Sequence, residues 1–205
     1  MKYPNSLYEN KLIKQGFKTI AGVDEAGRGS WAGPIVAGAV VLPANIKIPD
    51  LKDSKMLSPI TREKVYKIII KKAICWSAEI ISNKIIDKIG ISQANLDVMN
   101  KAIKNLKKKP NYLLIDFLLK KKIKITNNIP YILIKKGDEK ICSISAASII
   151  AKVTRDRIMV SYEKKFPNYG FAKHKGYGTA YHRAMIKKYG ICEIHRKSFK
   201  PMSNL

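Results

Sequence analysis

Two adjacent carboxylates, Asp24 and Glu25, close an apolar run and are followed at once by the turn Gly27-Arg28-Gly29. Negative charge able to hold a cation thus stands beside a cationic side chain able to meet a phosphate. Two further acids have comparable surroundings: Asp116 lies inside LLIDFLL, and Asp138 follows YILIKKG. A buried carboxylate without a partner costs on the order of several kcal/mol, so each needs a cation, a hydrogen-bond network or a retained proton. A salt bridge to one of the lysines is the alternative for any single acid, and four acids recurring at strand ends weaken it. If the four converge, they offer oxygen donors only, with no His or Cys close in sequence, which suits Mg²⁺ or Mn²⁺ better than zinc. Several carboxylates can hold two such ions about 3.5–4 Å apart, an arrangement that activates water and stabilises a leaving oxygen in phosphodiester cleavage. Ser30 follows a glycine, but the chain has neither a G-x-S-x-G nucleophile elbow nor a G-x-x-x-x-G-K-[ST] phosphate loop.

The elements that must position these residues follow from periodicity. Phe17 to Asp24 and Pro34 to Leu42 read as strands joined by the glycine-rich turn, and a hairpin makes them antiparallel. Ser58-Pro59 opens a helix running to about Lys72, with Ser at the cap and Pro at the first position. Cys75 to Ile81 reads as a third strand, and Ser92 to Leu106 as an amphipathic helix on Leu96, Met99, Ile103 and Leu106. Tyr112 to Leu118 is a continuous apolar run of the kind found in strands buried on both faces, the parallel-sheet signature. Tyr131 to Lys135 is a further strand. One long helix is expected from Ser143 to about Phe166, its small residues permitting close approach to a neighbour. A Gly-, His- and Lys-rich loop, Pro167 to Gly178, then leads to a last helix capped by Thr179. Strands, then a helix, then alternating units predict one α/β domain over residues 1–205, with a mixed sheet and flanking helices over about 15–166 and a helical C-terminal segment over 167–205.

Composition narrows the partners. The formal net charge is +25, from 40 basic and 15 acidic residues, which draws a polyanion, nucleic acid foremost. Lysine supplies 34 of the 40 bases in a chain crowded with Ile, Lys and Asn, so composition alone would yield much of that excess. No apolar stretch reaches the roughly 18–20 residues that span a bilayer, and the N-terminus lacks a signal-peptide core. Cys75, Cys142 and Cys192 are odd in number and have no CxxC spacing, which predicts reduced thiols in a cytoplasmic protein.

Five segments recur in one known order: GVDEAGRG (22–29), LKDSKMLS (51–58), KKGDEKICSISAASIIAKVTRDR (135–157), HKGYGT (174–179) and HRKSFKP (195–201). Together they resemble ribonuclease HII, the type 2 ribonuclease H family, over nearly the whole chain from Ala21 to Pro201. The resemblance implies a ribonuclease H-like mixed sheet flanked by helices. It also implies an endonuclease that cuts the RNA strand of RNA–DNA hybrids and single ribonucleotides in duplex DNA, leaving 5′-phosphate and 3′-hydroxyl ends. Carried over by position, it makes Asp24, Glu25, Asp116 and Asp138 the catalytic, metal-binding acids, with Mn²⁺ or Mg²⁺ as cofactor and no small-molecule cofactor. Gly27, Arg28 and Gly29 would read the ribonucleotide, and Tyr177 would stack on the sugar of the deoxynucleotide after it. A plain hairpin turn and a packed loop anchor are the structural alternatives for those positions.

By the same resemblance Lys52, Ser54 and Lys55, with Asp53, form a phosphate-facing loop, and Ser145 and Ser148 are either structural or phosphate-contacting. Lys152, Arg155 and Arg157 belong either to a backbone track or to a solvated helix face. Phe117 stands where glycine is common, and Trp31 where a smaller apolar residue is usual. Only about twenty residues precede the first motif, too few for the extra N-terminal domain of the ribonuclease HIII family, and a monomer is expected.

Overall fold

The computed structural model describes residues 3–117, 124–125 and 128–204. Five strands form one mixed sheet in the order β3-β2-β1-β4-β5: β1 (Ile20–Ala26), β2 (Ile35–Val41), β3 (Cys75–Ile81), β4 (Tyr112–Asp116) and β5 (Tyr131–Ile134). β2 runs antiparallel to both β1 and β3, whereas β4 is parallel to β1 and β5 is parallel to β4. Seven α-helices lie among the described residues: α1 (Leu7–Lys14), α2 (Pro59–Lys72), α3 (Asn83–Ile89), α4 (Ile91–Lys104), α5 (Cys142–Lys165), α6 (Phe171–His174) and α7 (Ala180–Tyr189). The arrangement is the α/β mixed sheet with flanking helices that the sequence predicts.

The alternation of side chains along a strand divides the core into two layers. Ala21 and Val23 of β1, with Ala37 and Ala39 of β2, face α4 and pack on Ala94, Val98, Met99 and Ala102. The opposite face carries α5, and α2 packs beyond it through Val65, Tyr66 and Ile69. The small residues of α5 have a direct use. A Cβ on Gly22 would lie 2.1 Å from the Ser143 carbonyl carbon, and one on Gly38 would lie 2.4 Å from the Ala147 oxygen. Glycine on the sheet and Ser/Ala on the helix therefore let the two backbones nearly touch, which fixes the height of α5 above the strand ends.

Helix boundaries follow local chemistry. Ser58 accepts from Thr61 N to start α2, with Pro59 at its first position, and Thr179 accepts from His182 N to start α7. Several boundaries differ from the sequence expectation. β1 extends to Ala26, so Glu25 sits within the strand rather than beyond its tip. β4 ends on Asp116, which is therefore a terminal residue and not an interior one, and Leu118 falls outside the described residues. α4 starts off Gly90 at Ile91, and β5 stops at Ile134. Helices α1, α3 and α6 were not anticipated. They are 8, 7 and 4 residues long, too short for a clear 3.6-residue period. α1 is held largely by tertiary contacts, with Leu12 buried and Glu9 accepting from Ser143 N at 2.9 Å. No helix of the described residues is long and apolar enough to cross a membrane.

Candidate functional site

Because β1, β4 and β5 are parallel, their C-terminal ends open at the same edge of the sheet, and each delivers an acid there. Val23 pairs with Ile115, which sets Asp24 beside Asp116, and the turn Gly137–Glu139 after β5 carries Asp138. Carboxylate oxygens of Asp24, Asp116 and Asp138 all lie within 4.8 Å of one another. Asp24 and Asp138 are only 6% and 3% exposed. The cation at hand is the largely exposed Lys55, whose Nζ reaches Asp138 Oδ2 at 3.4 Å. Three carboxylates in so small a volume repel one another, and burial strengthens the effect. Burial first, then Glu25, Asp116 and Asp138, holds Asp24 well above the usual carboxylate range. Burial and the Asp138 charge push Asp116 up to about 6. A cluster that cannot ionise cheaply by itself, with oxygen donors alone, fits a hard divalent cation.

Glu25 departs from the expected four-acid set. One residue along the strand, it points to the other face of the sheet, towards α4, and stays outside the trio. Burial pushes it up to about 7 despite the pull of Arg28. The buried Asn95 amide faces Glu25 and favours its ionised form, although it completes no full hydrogen bond with any described residue. Glu25 nonetheless lines the same cleft as the three aspartates, a hollow of about 600 Å³.

The remaining predicted residues divide between that cleft and its supports. Gly27, Arg28, Ser54, Lys55, Ser148 and Tyr177 line it. Ser54 Oγ and Ser148 Oγ are 2.9 Å apart, tying the 52–57 loop to α5. Gly29 is exposed at the tip of its turn, outside the lining. Lys52 lies away from the cleft, its Nζ 4.6 Å over the Tyr3 ring. Ser145 is fully buried and donates to the Lys52 carbonyl at 3.0 Å, which places it beneath the loop rather than against a substrate. Phe117 is buried at the cleft edge, and the Trp31 ring packs tilted against His182, 5.7 Å between centroids, with Arg183 over it.

The basic residues of α5 correct a simpler expectation. Lys152 lines the cleft while pairing with Asp156 at 2.7 Å, and Arg157 is a surface residue bonded to Glu63 at 2.6 Å. Arg155 is neither track nor solvated face: it is 0% exposed. Its guanidinium donates to Pro34 O, Lys175 O, Ser30 Oγ and Ala32 O at 2.7–3.0 Å. In sequence Arg155 sits in the charged stretch KVTRDR (152–157), and the only available signal was the small or apolar residue four positions to either side, Ala151 and Met159, which puts it on the packed face of the helix.

Sequence reasoning also passed over the histidines. His174, His182 and His195, every histidine in the chain, pack together behind Tyr177. Cys192 N–H donates to His195 Nδ1 at 2.8 Å, which leaves the His195 proton on Nε2 for His182 Nε2 at 3.0 Å. His182 Nδ1–H is then free to donate to the Tyr177 carbonyl, also at 3.0 Å. Both rings must be neutral for this chain of bonds, and burial lowers both to about 4.

Known proteins match this chain over most of its length. The profile of the family described as Ribonuclease HII covers residues 21–202. Proteins named Ribonuclease HII from Acetivibrio thermocellus and Bacillus cytotoxicus are 52% and 50% identical over 94% and 98% of this chain, and 74% and 75% of their own lengths. The ribonuclease H2 of Pyrococcus horikoshii superposes with a TM-score of 0.76 at 28% identity, over 91% of this chain and 96% of that one. The ribonuclease HII of Archaeoglobus fulgidus, solved as a complex with PCNA, gives 0.77 at 27% identity, over 89% and 96%. A Bst ribonuclease HIII structure in complex with Mn²⁺ shares the fold alone, with a TM-score of 0.65 at 18% identity over 90% and 68%.

Proposed function

This chain belongs to the ribonuclease HII family of metal-dependent endonucleases acting on RNA–DNA hybrids, and from that premise we propose that it nicks duplex DNA on the 5′ side of single embedded ribonucleotides. The observation that carries the proposal is the trio Asp24, Asp116 and Asp138 at the floor of a cleft walled by Arg28, Lys55, Lys152 and Tyr177. Those three aspartates, with Glu25 beside them, would hold divalent cations, Mn²⁺ or Mg²⁺. Such ions, when bound, supply an activated water and offset the charge on the leaving 3′-oxygen, leaving 5′-phosphate and 3′-hydroxyl ends.

The chain's own residues bind and orient. Arg28 and the amides of its turn face a phosphate or a 2′-hydroxyl, the group that separates RNA from DNA at one position. Lys55 and Lys152 bear on the backbone approaching the acids. The Tyr177 ring lies 5.5 Å from Lys152 Nζ and 5.3 Å from Arg155 Cζ, and its exposed part, with the residue 37% exposed, is available to a sugar. A single catalytic unit acting as a monomer suffices for this chemistry, since every named residue comes from one chain. Four substrates test it: duplex DNA, double-stranded RNA, a continuous hybrid, and duplex DNA with one ribonucleotide. Cutting of the last two only, in the presence of divalent metal, is expected. Cutting of the all-DNA duplex would overturn it.

A further inference from the structure

Two guanidiniums, those of Arg155 and Arg196, are 0% exposed and make no ion pair with a described carboxylate. Burying a cation so costs on the order of several kcal/mol, and an apolar side chain would fill either space more cheaply. What these two contact explains their presence. Arg155 Nε donates to Pro34 O at 2.9 Å, and its Nη2 donates to Ala32 O at 3.0 Å and Ser30 Oγ at 2.7 Å. Ser30 Oγ passes the connection on by donating to Gly27 O at 2.7 Å. Arg196, from the C-terminal segment, donates to Gly33 O at 3.0 Å and Arg28 O at 2.9 Å.

Every one of these acceptors in the 27–34 segment is a carbonyl, or a hydroxyl that relays to one. In a planar trans peptide the N–H points opposite to the C=O. Drawing the Gly27 and Arg28 carbonyls inward therefore turns the Arg28 and Gly29 amides outward, and those two amides donate to no described residue. Arg155 also grips a second segment: Nη1 donates to Lys175 O at 2.9 Å, and the Tyr177 ring lies 5.3 Å from Cζ. The two segments also meet directly, Trp31 N–H donating to Gly176 O at 2.8 Å, and Gly27 packs on the guanidinium that joins them. The Gly27 φ is +91°, and a Cβ there would fall 1.9 Å from Arg155 Nε. Lysine could not replace the planar fork that reaches all these acceptors at once.

We propose that Arg155, acting through Ser30, is a positioning residue that locks the 27–33 turn to the Tyr177 segment, so that both parts of the reading surface act as one rigid unit. The inference rests on the junction-reading roles proposed above for that turn and for Tyr177.

A double-mutant cycle tests it. The ratio of kcat/KM on a single-ribonucleotide duplex to that on a continuous hybrid is measured for the wild type, Ser30→Ala, Tyr177→Ala and the double variant. Ser30→Ala, a minimal change that leaves Arg155 in place, should lower the ratio about tenfold, the factor for one lost hydrogen bond to a charged group. Its Mn²⁺ affinity by calorimetry should stay at the wild-type value. The double variant should lose less than the product of the single losses. Losses that multiply, or a Ser30→Ala effect equal on both substrates, would overturn the coupling while leaving the junction reading intact. A Tyr177→Ala ratio equal to wild type would overturn the junction reading, and the coupling with it. In Arg155→Lys, amide hydrogen exchange should speed up at the hydrogen-bonded amides of 30–33 and 175–177 together, and a change confined to one segment would contradict the lock.

Discussion

At Asp116 a carboxylate at a strand end pays a standing electrostatic cost until a cation arrives. Its ionisation is displaced upward to about 6, and that of Glu25 to about 7, chiefly by burial. The sign of the consequence is definite. An acid whose folded pKa is raised above its unfolded value leaves stability intact at low pH and removes it as pH rises through the folded pKa. The metal-free protein should therefore lose stability between about pH 4 and 7. Asp116→Asn, measured by thermal melting in chelator at pH 8, should melt a few degrees above wild type, with the gap closing by pH 4. Added Mn²⁺ should stabilise the wild type more than the variant. A variant less stable than wild type at pH 8 would mean that Asp116 is held by a structural partner instead.

At the scale of elements, the acids were legible as a set because each ends an apolar run. Their convergence needed the sheet order, which periodicity does not encode: β4 inserts beside β1 although residues 27–111, two strands and three α-helices among them, intervene. The Asp24–Glu25 pair shows the limit most clearly. Adjacent in sequence, the two point to opposite faces once Glu25 lies within β1, so only Asp24 joins the trio. The strong helices α2 and α5 were readable from caps and small residues, whereas α1, α3 and α6 depend on contacts made elsewhere. Arg155 and the histidine chain were missed because burial and partner identity are tertiary properties. The histidines give their own test. Buried neutral rings with folded pKa near 4, below the usual 6.5, add stability above pH 6.5 that is lost as pH falls towards about 4. The stability advantage of wild type over His182→Asn should accordingly shrink by a few degrees of melting temperature over that interval, with His174 stacked on His182 contributing in the same direction. An advantage that held constant from pH 7 to 4.5 would argue against the neutral relay.

Across the whole molecule the charge of +25 is spread over a surface much larger than the cleft. Only cations facing the substrate release counterions on binding; of the five lining the cleft, Arg62 is buried and paired with Asp156, which leaves Arg28, Lys55, Lys136 and Lys152. The logarithmic salt dependence of duplex affinity should then have a slope of about −4, not one approaching the net charge. A slope near −10 would show that lysines outside the cleft take part. The central claim is narrower: the three aspartates at the parallel strand ends hold the metal that cuts at a ribonucleotide. It is tested most directly by incubating a duplex carrying one ribonucleotide with wild type and Asp116→Asn, with Mn²⁺ or chelator, and mapping the cut and its ends. The account predicts one nick on the 5′ side of the ribonucleotide, with 3′-hydroxyl and 5′-phosphate ends, by the metal-loaded wild type alone. Undiminished nicking by a folded Asp116→Asn protein, or by the wild type in chelator, would contradict it.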